Sequence, residues 1–223
     1  MPSAIPTNPV LRPYITQGRV NYEQLRNEDW LPPVIAYIEQ AEVEEMDQQE
    51  AKAFWLNAYN IITIKAVLEK LQTNPDWAGV TSQWRKIKFF WWKKHLIAGR
   101  KMSLYYLENT IIRQEFQDPR IHFALNCASR SCPYLPEKLF HAKTLDEQLN
   151  QLTADFINQQ HAVLLEDDRL QISEIFKMYP NDFGGQDQVI PFIRAYWQGP
   201  SIPQNSKISY LPYDWSLNRA ERL

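Results

Sequence analysis

AKAFWLNAYNIITIKAVLEKL, residues 51–71, is the stretch that decides the fold. At about 100° per residue, Phe54, Ala58, Ile61 and Leu68 fall near one line along a helix. Trp55, Tyr59, Ile62 and Ala66 fall near a second, and Asn57, Asn60, Ile64 and Leu71 near a third. Apolar groups on almost every side describe a helix surrounded by protein rather than one laid over a core. Asp47, three residues before Glu50, provides a capping pattern just ahead of it. Asn57 and Asn60 then need partners, because an unsatisfied buried amide costs about 1–3 kcal/mol. They either tie neighbouring backbone in place or line a site.

Upstream, Tyr22, Leu25, Trp30, Leu31, Val34, Ile35 and Ile38 have helical spacing, with Pro32-Pro33 opening a second helix. Downstream, HLIAGRKMS predicts a tight hairpin around Ala98-Gly99, and SLYYLENTIIRQEF a helix capped by Ser103 with Leu104, Leu107, Ile111 and Ile112 buried. LDEQLNQLTADFINQ predicts an amphipathic helix capped by Thr144. AVLLEDDRLQIS predicts a hairpin turning at Asp167-Asp168, EIFKMYPNDF a short helix broken at Pro180, residues 187–197 a helix, and KISYLPYDWSLNR a late strand. Helices dominate and no βαβ alternation is present, so the expected class is α+β: a helix-rich single domain with a small, mainly antiparallel sheet and a central buried helix. The domain is expected over residues 18–223, preceded by an extension over residues 1–17.

Eight Trp in 223 residues need an interior to occupy, which excludes general disorder. The first residues, MPSAIPTNPV, carry no apolar run of signal-peptide type, and no window approaches the roughly 18 apolar residues of a membrane span. The expectation is a cytoplasmic chain with reduced thiols, with closure of a small loop by two cysteines five apart left open under oxidising conditions. The net charge of −2 gives no general reason for nucleic-acid binding, but Arg85 to Lys101 holds seven basic residues and no acidic one, so the remainder carries −9. Basic residues interleaved with aromatics suit an anionic membrane surface or single-stranded nucleic acid. The reading preferred here is a strand pair with its aromatics buried and its lysines solvated, and it weighs against such contacts.

Chemistry is concentrated in DPRIHFALNCASRSCPYLP, residues 118–136, which holds both cysteines and His122. A Cys–His nucleophile needs sulfur and imidazole within hydrogen-bond reach and a third group to orient the ring. Along a strand, His122 and Cys127 face opposite sides about 16 Å apart, and on a helix they are about 140° apart. Cys132, carried back across a turn, is therefore the preferred nucleophile with His122 as base. Cys127 serves if the chain bends at Asn126, and Asn57, Asn126 or Asp214 would orient the imidazole. His122, Cys127 and Cys132 offer three ligands to a metal, but no second cluster supplies a convincing fourth, so neither a metal nor a cofactor is expected. The competing reading is structural: two small buried sulfurs inside a satisfied polar network. There is no HExxH, G-x-S-x-G, P-loop or G-x-G-x-x-G.

These same residues, with FWLNAYN at 54–60 and YDWSLN at 213–218, resemble the family called domain of unknown function 547. GRVNYEQLR, SLYYLENTIIR and EIFKMYPNDF are similar to it as well, so the resemblance runs from Gly18 to Asn218. It implies relatives in bacteria and plants, many of the bacterial ones exported, and some plant members with an added leucine zipper that are described as interaction factors. No activity comes with it. Two functions are carried forward. One is a thiol-dependent hydrolase or acyl transferase acting on a small molecule or peptide. The other is a non-catalytic scaffold that meets a protein partner.

Overall fold

The computed structural model describes residues 9–79, 92–159, 162–166, 169–203 and 206–220. The central helix is longer than its apolar core. Asp47 Oδ1 accepts from the backbone N–H of Gln49 and Glu50 at 2.9 Å, and Glu50 Oε2 accepts from the N–H of Asp47 at 3.0 Å. This complete capping box starts the helix one turn before the apolar run, at Gln48–Thr73. Every residue from Lys52 to Ile64 is buried.

In chain order the helices are α1 (Tyr22–Leu25), α2 (Leu31–Gln40), α3 (Gln48–Thr73), α4, α5 (Ile121–Ala124), α6 (Leu145–Ile157), α7 (Ile175–Met178) and α8 (Val189–Tyr196). Helix α4 is composite: α-helical over Leu104–Tyr106, π-helical over Leu107–Ile112 and α-helical again over Arg113–Phe116. Ser103 caps it, its Oγ accepting from the N–H of Tyr106. Among the described residues the strands form three small sheets. β1 (Ile15–Thr16) pairs with β2 (Arg19–Val20), and β3 (Lys94–Ile97) with β4 (Arg100–Ser103), both antiparallel. β5 (Val163–Glu166) is antiparallel to β6 (Arg169–Ser173), and β6 is parallel to β7 (Lys207–Leu211) with Leu170 opposite Ile208. The class is α+β, as expected. The β3–β4 hairpin turns at Ala98 and Gly99, with φ of 47° and 69°, and its turn amides donate to the carbonyls of Ile38 and Glu39 at the end of α2.

Residues 9–17 are not an appendage. Leu11 and Tyr14 are buried in the core, and the N–H groups of Leu11 and Arg12 both donate to the carbonyl of Glu137. The segment WRKIKFFW, residues 84–91, and the predicted turn at Asp167-Asp168 lie outside the described residues. No described helix is long and apolar enough to cross a membrane.

Two apolar clusters fill the interior. The larger surrounds α3 and takes in Leu25, Val34, Ile38, Ile112 and Leu149. The second is aromatic, with Phe123 against Phe156 at 5.0 Å and Phe176 against Phe183 at 4.9 Å between ring centroids. Helix α5 lies on the boundary, with Ile121 and Ala124 in the first cluster and Phe123 in the second.

Candidate functional site

The site is built from the Asp118 end. Asp118 Oδ1 accepts from the N–H of Arg120, which shapes the entry to α5, and its carboxylate also takes the Arg120 guanidinium and the Lys52 ammonium, the latter at 2.5 Å. Burial alone would raise the Asp118 carboxyl, but the hydrogen bonds from Arg120 and Lys52 outweigh it and hold the group at about 2. The pair therefore pins α5 to α3. Asn60 then grips the chain where α5 ends: its Nδ2 donates to the carbonyl of Ala124 and its Oδ1 accepts from the N–H of Asn126, both at 2.9 Å.

Beyond that grip the chain folds back. Asn126 Nδ2 donates to the carbonyl of Pro133, and its Oδ1 accepts from the N–H of Ala128 and from Asn218 Nδ2. Ala128 takes a left-handed conformation with φ of 60°. The C-terminal segment zips onto this loop: Arg130 N–H to Ser216 O, Ser131 N–H to Asp214 O and Asn218 N–H to Ala128 O. That pairing delivers the Tyr213 hydroxyl to the sulfurs.

Cys127 and Cys132 are joined as a disulfide, which corrects the expectation of two reduced thiols. The two sulfurs are not equivalent. Cys132 is 3% exposed, and its Sγ has the N–H of Cys127 at 3.0 Å, Ser129 Oγ at 3.3 Å and Tyr213 OH at 3.3 Å. Cys127 is half-buried, with its Sγ at 3.2 Å from Ser129 Oγ and 3.5 Å from Tyr213 OH. Burial pushes the Tyr213 phenol well up, so it remains a protonated donor.

Both sulfurs border a cavity of about 30 Å³, room for one water molecule. Its walls also include His122, Tyr59, Glu108, Tyr179 and Tyr213. His122 Nε2 lies 2.7 Å from Asp182 Oδ2, and its ring stacks on Tyr179 at 4.3 Å. Arg113 takes the same carboxylate in a fork, Nε to Oδ2 at 2.6 Å and Nη2 to Oδ1 at 2.9 Å. Burial would raise Asp182, but His122 and Arg113 overcome it and hold the group far below the usual carboxylate range. An ionised Asp182 only accepts, so Nε2 carries a proton and Nδ1 is left as the basic position of the ring. On the opposite wall Glu108, inside the π-helical segment of α4, accepts from Tyr59 OH at 3.0 Å and Tyr179 OH at 3.1 Å. The negative charge of Glu108 raises the Tyr179 phenol, and burial followed by that charge raises Tyr59. A π-turn that presents a carboxylate to a cavity is a recurring functional device.

A family described as a protein of unknown function, DUF547, matches residues 43–157, just over half of the chain. The chain belongs to that family. No curated protein and no solved structure matches it. Within the DUF547 match lie α3, Glu108, His122 and both cysteines, whereas Tyr179, Asp182 and Tyr213 come from the part of the chain beyond it.

Of the site residues expected from sequence, His122, Cys127 and Cys132 line one cavity of this DUF547 protein. Asn57, Asn126 and Asp214 do not orient the imidazole. Asn57 is spent on Phe140, bonding both its N–H and its carbonyl, and Asn126 braces the loop. The Asp214 carboxylate is exposed and accepts from the N–H and hydroxyl of Ser216. The orienting group is Asp182, sixty residues from His122 in sequence. Glu108, Tyr179, Ser129 and Tyr213 were also missed. The available signal was the acid in PNDFGG, a tight 3-10 turn ending at left-handed Gly184, placed directly after the aromatic run of α7.

Proposed function

We propose that Cys127 and Cys132 form a reversible dithiol–disulfide couple that exchanges with an external thiol. One observation carries the reading: the backbone N–H of Cys127 donates to Cys132 Sγ, the Ser129 and Tyr213 hydroxyls lie beside both sulfurs, and the bonded Cys127 is the more exposed of the two. Such an arrangement favours attack at Cys127 and departure of Cys132 as a thiolate. An incoming thiol gives its proton to His122, whose imidazolium is stabilised by Asp182, and the resulting thiolate attacks Cys127 Sγ. The Cys127–Cys132 bond breaks, its electron pair stays on Cys132, and Cys127 carries a mixed disulfide. A second thiol resolves that bond, so two thiols are oxidised and the pair becomes a dithiol. A reducing compartment would hold the pair as the dithiol, and an oxidising one would hold it closed.

The second reading is thiol-dependent hydrolysis or acyl transfer by the reduced protein, and the presence of His122, held by Asp182, in the lining shared by both sulfurs favours it. The non-catalytic alternative is a scaffold in which the disulfide is a permanent staple. The test is reduction by millimolar glutathione of the native and of the urea-unfolded protein, followed by thiol titration. The exchange reading expects the native disulfide to open at a rate comparable to the unfolded one. A native disulfide that stays closed while the unfolded one opens would leave the staple. Hydrolysis of a generic thioester that appears only after reduction and is lost in Cys132→Ser would establish the acyl-transfer reading.

A further inference from the structure

We infer that the β3–β4 hairpin and the start of α4 form a docking face for an anionic phospholipid surface, independent of the cysteine site. Among the described residues, Trp92 is 75%, Leu96 39%, Tyr105 40% and Tyr106 48% exposed, and these four large apolar side chains fall within fifteen consecutive positions. A strand pair that merely solvated its lysines would have buried its aromatics. Here the inward face is already filled by His95, Ile97 and Met102, and the apolar groups named above stay outside with the basic ones.

Strand alternation places Lys94 and Leu96 on the outer side of β3, and Leu96 lies directly opposite exposed Lys101 of β4. Lys93 is paired with Glu69, and Arg100 reaches Glu44 at 4.0 Å. Lys94 and Lys101 have no carboxylate partner among the described residues. The turn is fixed to the body of the protein by its bonds to the carbonyls of Ile38 and Glu39, so the face is presented rigidly.

Charge complementarity selects the occupant. Residues 92–107 hold Lys93, Lys94, Arg100 and Lys101 and no acidic residue, while the chain as a whole carries −2, so an anionic plane attracts this side in preference to the others. Trp and Tyr settle at the headgroup level, where an apolar ring and a polar edge are both satisfied, and Lys stems reach from there to phosphates. Aliphatic Leu96 gains from an acyl boundary and offers no face for a base to stack on, which separates a lipid surface from a single strand.

The experiment is co-sedimentation of the full chain with phosphatidylcholine vesicles, with and without phosphatidylserine, at low and high salt. Retention is expected only with phosphatidylserine at low salt, with a blue shift of Trp emission. Lys94→Gln and Lys101→Gln should each weaken it about fivefold. Leu96→Ser should weaken it without changing its salt dependence, and circular dichroism checks that each variant is folded. No retention on anionic vesicles, equal retention on neutral ones, or capture by a single-stranded oligonucleotide in place of vesicles would each overturn the inference.

Discussion

The cluster around α3 and the aromatic cluster around Phe123 are built differently, and the cavity lies on the seam between them. The first is local: one long helix with short neighbours packed around it, supplying Tyr59, Leu125 and Cys127. The second gathers α6, α7, α8 and the β5–β6–β7 sheet, and supplies Ile175, Met178, Tyr179 and Tyr213. One side presents sulfur and the other presents the groups that orient and shield it. Neither cluster forms the cavity alone. Changes on the α3 side are expected to unfold the protein, and changes on the other to spare the fold and alter the proposed chemistry.

The largest effect is expected at the Lys52–Asp118 pair that ties α5 to α3. Asp118→Ala leaves Lys52 buried without a counter-charge and should destabilise by about 3–5 kcal/mol in urea unfolding. The sign with pH follows. Asp118 sits at about 2 in the folded chain, below its ordinary value near 3.9, so its stabilisation is present above that value and lost as pH falls toward 2. The gap between wild type and variant should close over that window. A gap that persists unchanged at pH 2 would mean that packing, not charge, makes the junction.

Asn60→Ala comes next, since it strands the Ala124 carbonyl and the Asn126 N–H; about 2 kcal/mol is expected, with the cysteine loop loosened. Across the seam the comparison predicts a different phenotype. Asp182→Asn removes the charge that fixes the His122 tautomer, and should slow opening of the disulfide by glutathione about tenfold or more with little loss of secondary structure. Tyr213→Phe is the mildest. It removes one hydroxyl donor beside Cys132 Sγ, worth about 1 kcal/mol, and should slow exchange about fivefold. Equal unfolding by all four variants would erase the distinction between the two sides.

The division also explains what could be read in advance. The helix α3, its Asp47–Glu50 cap, the Ala98-Gly99 hairpin and the Ser103 cap all follow from residues within a few positions of one another. So does the need of Asn57 and Asn60 for backbone partners, although Phe140 and Ala124 could not be named from the sequence. His122, Cys127 and Cys132 line one cavity because the chain folds back after Asn126. What escaped was long-range or energetic. Asp182 reaches His122 through packing of the aromatic cluster, Glu108 is turned inward by a π-segment that no local periodicity marks, and Tyr213 arrives by pairing of the C-terminal segment with the cysteine loop. The oxidation state was missed for another reason: a separation of five residues suits both a small closed loop and two free thiols.

The most direct test locates the glutathione adduct formed when the folded protein is partly reduced and then quenched with acid. Peptide mass mapping of that sample, and of Cys132→Ser, should find glutathione on Cys127. An adduct on Cys132, or none at all under native conditions, would contradict the assignment of Cys127 as the attacked sulfur and Cys132 as the departing thiolate.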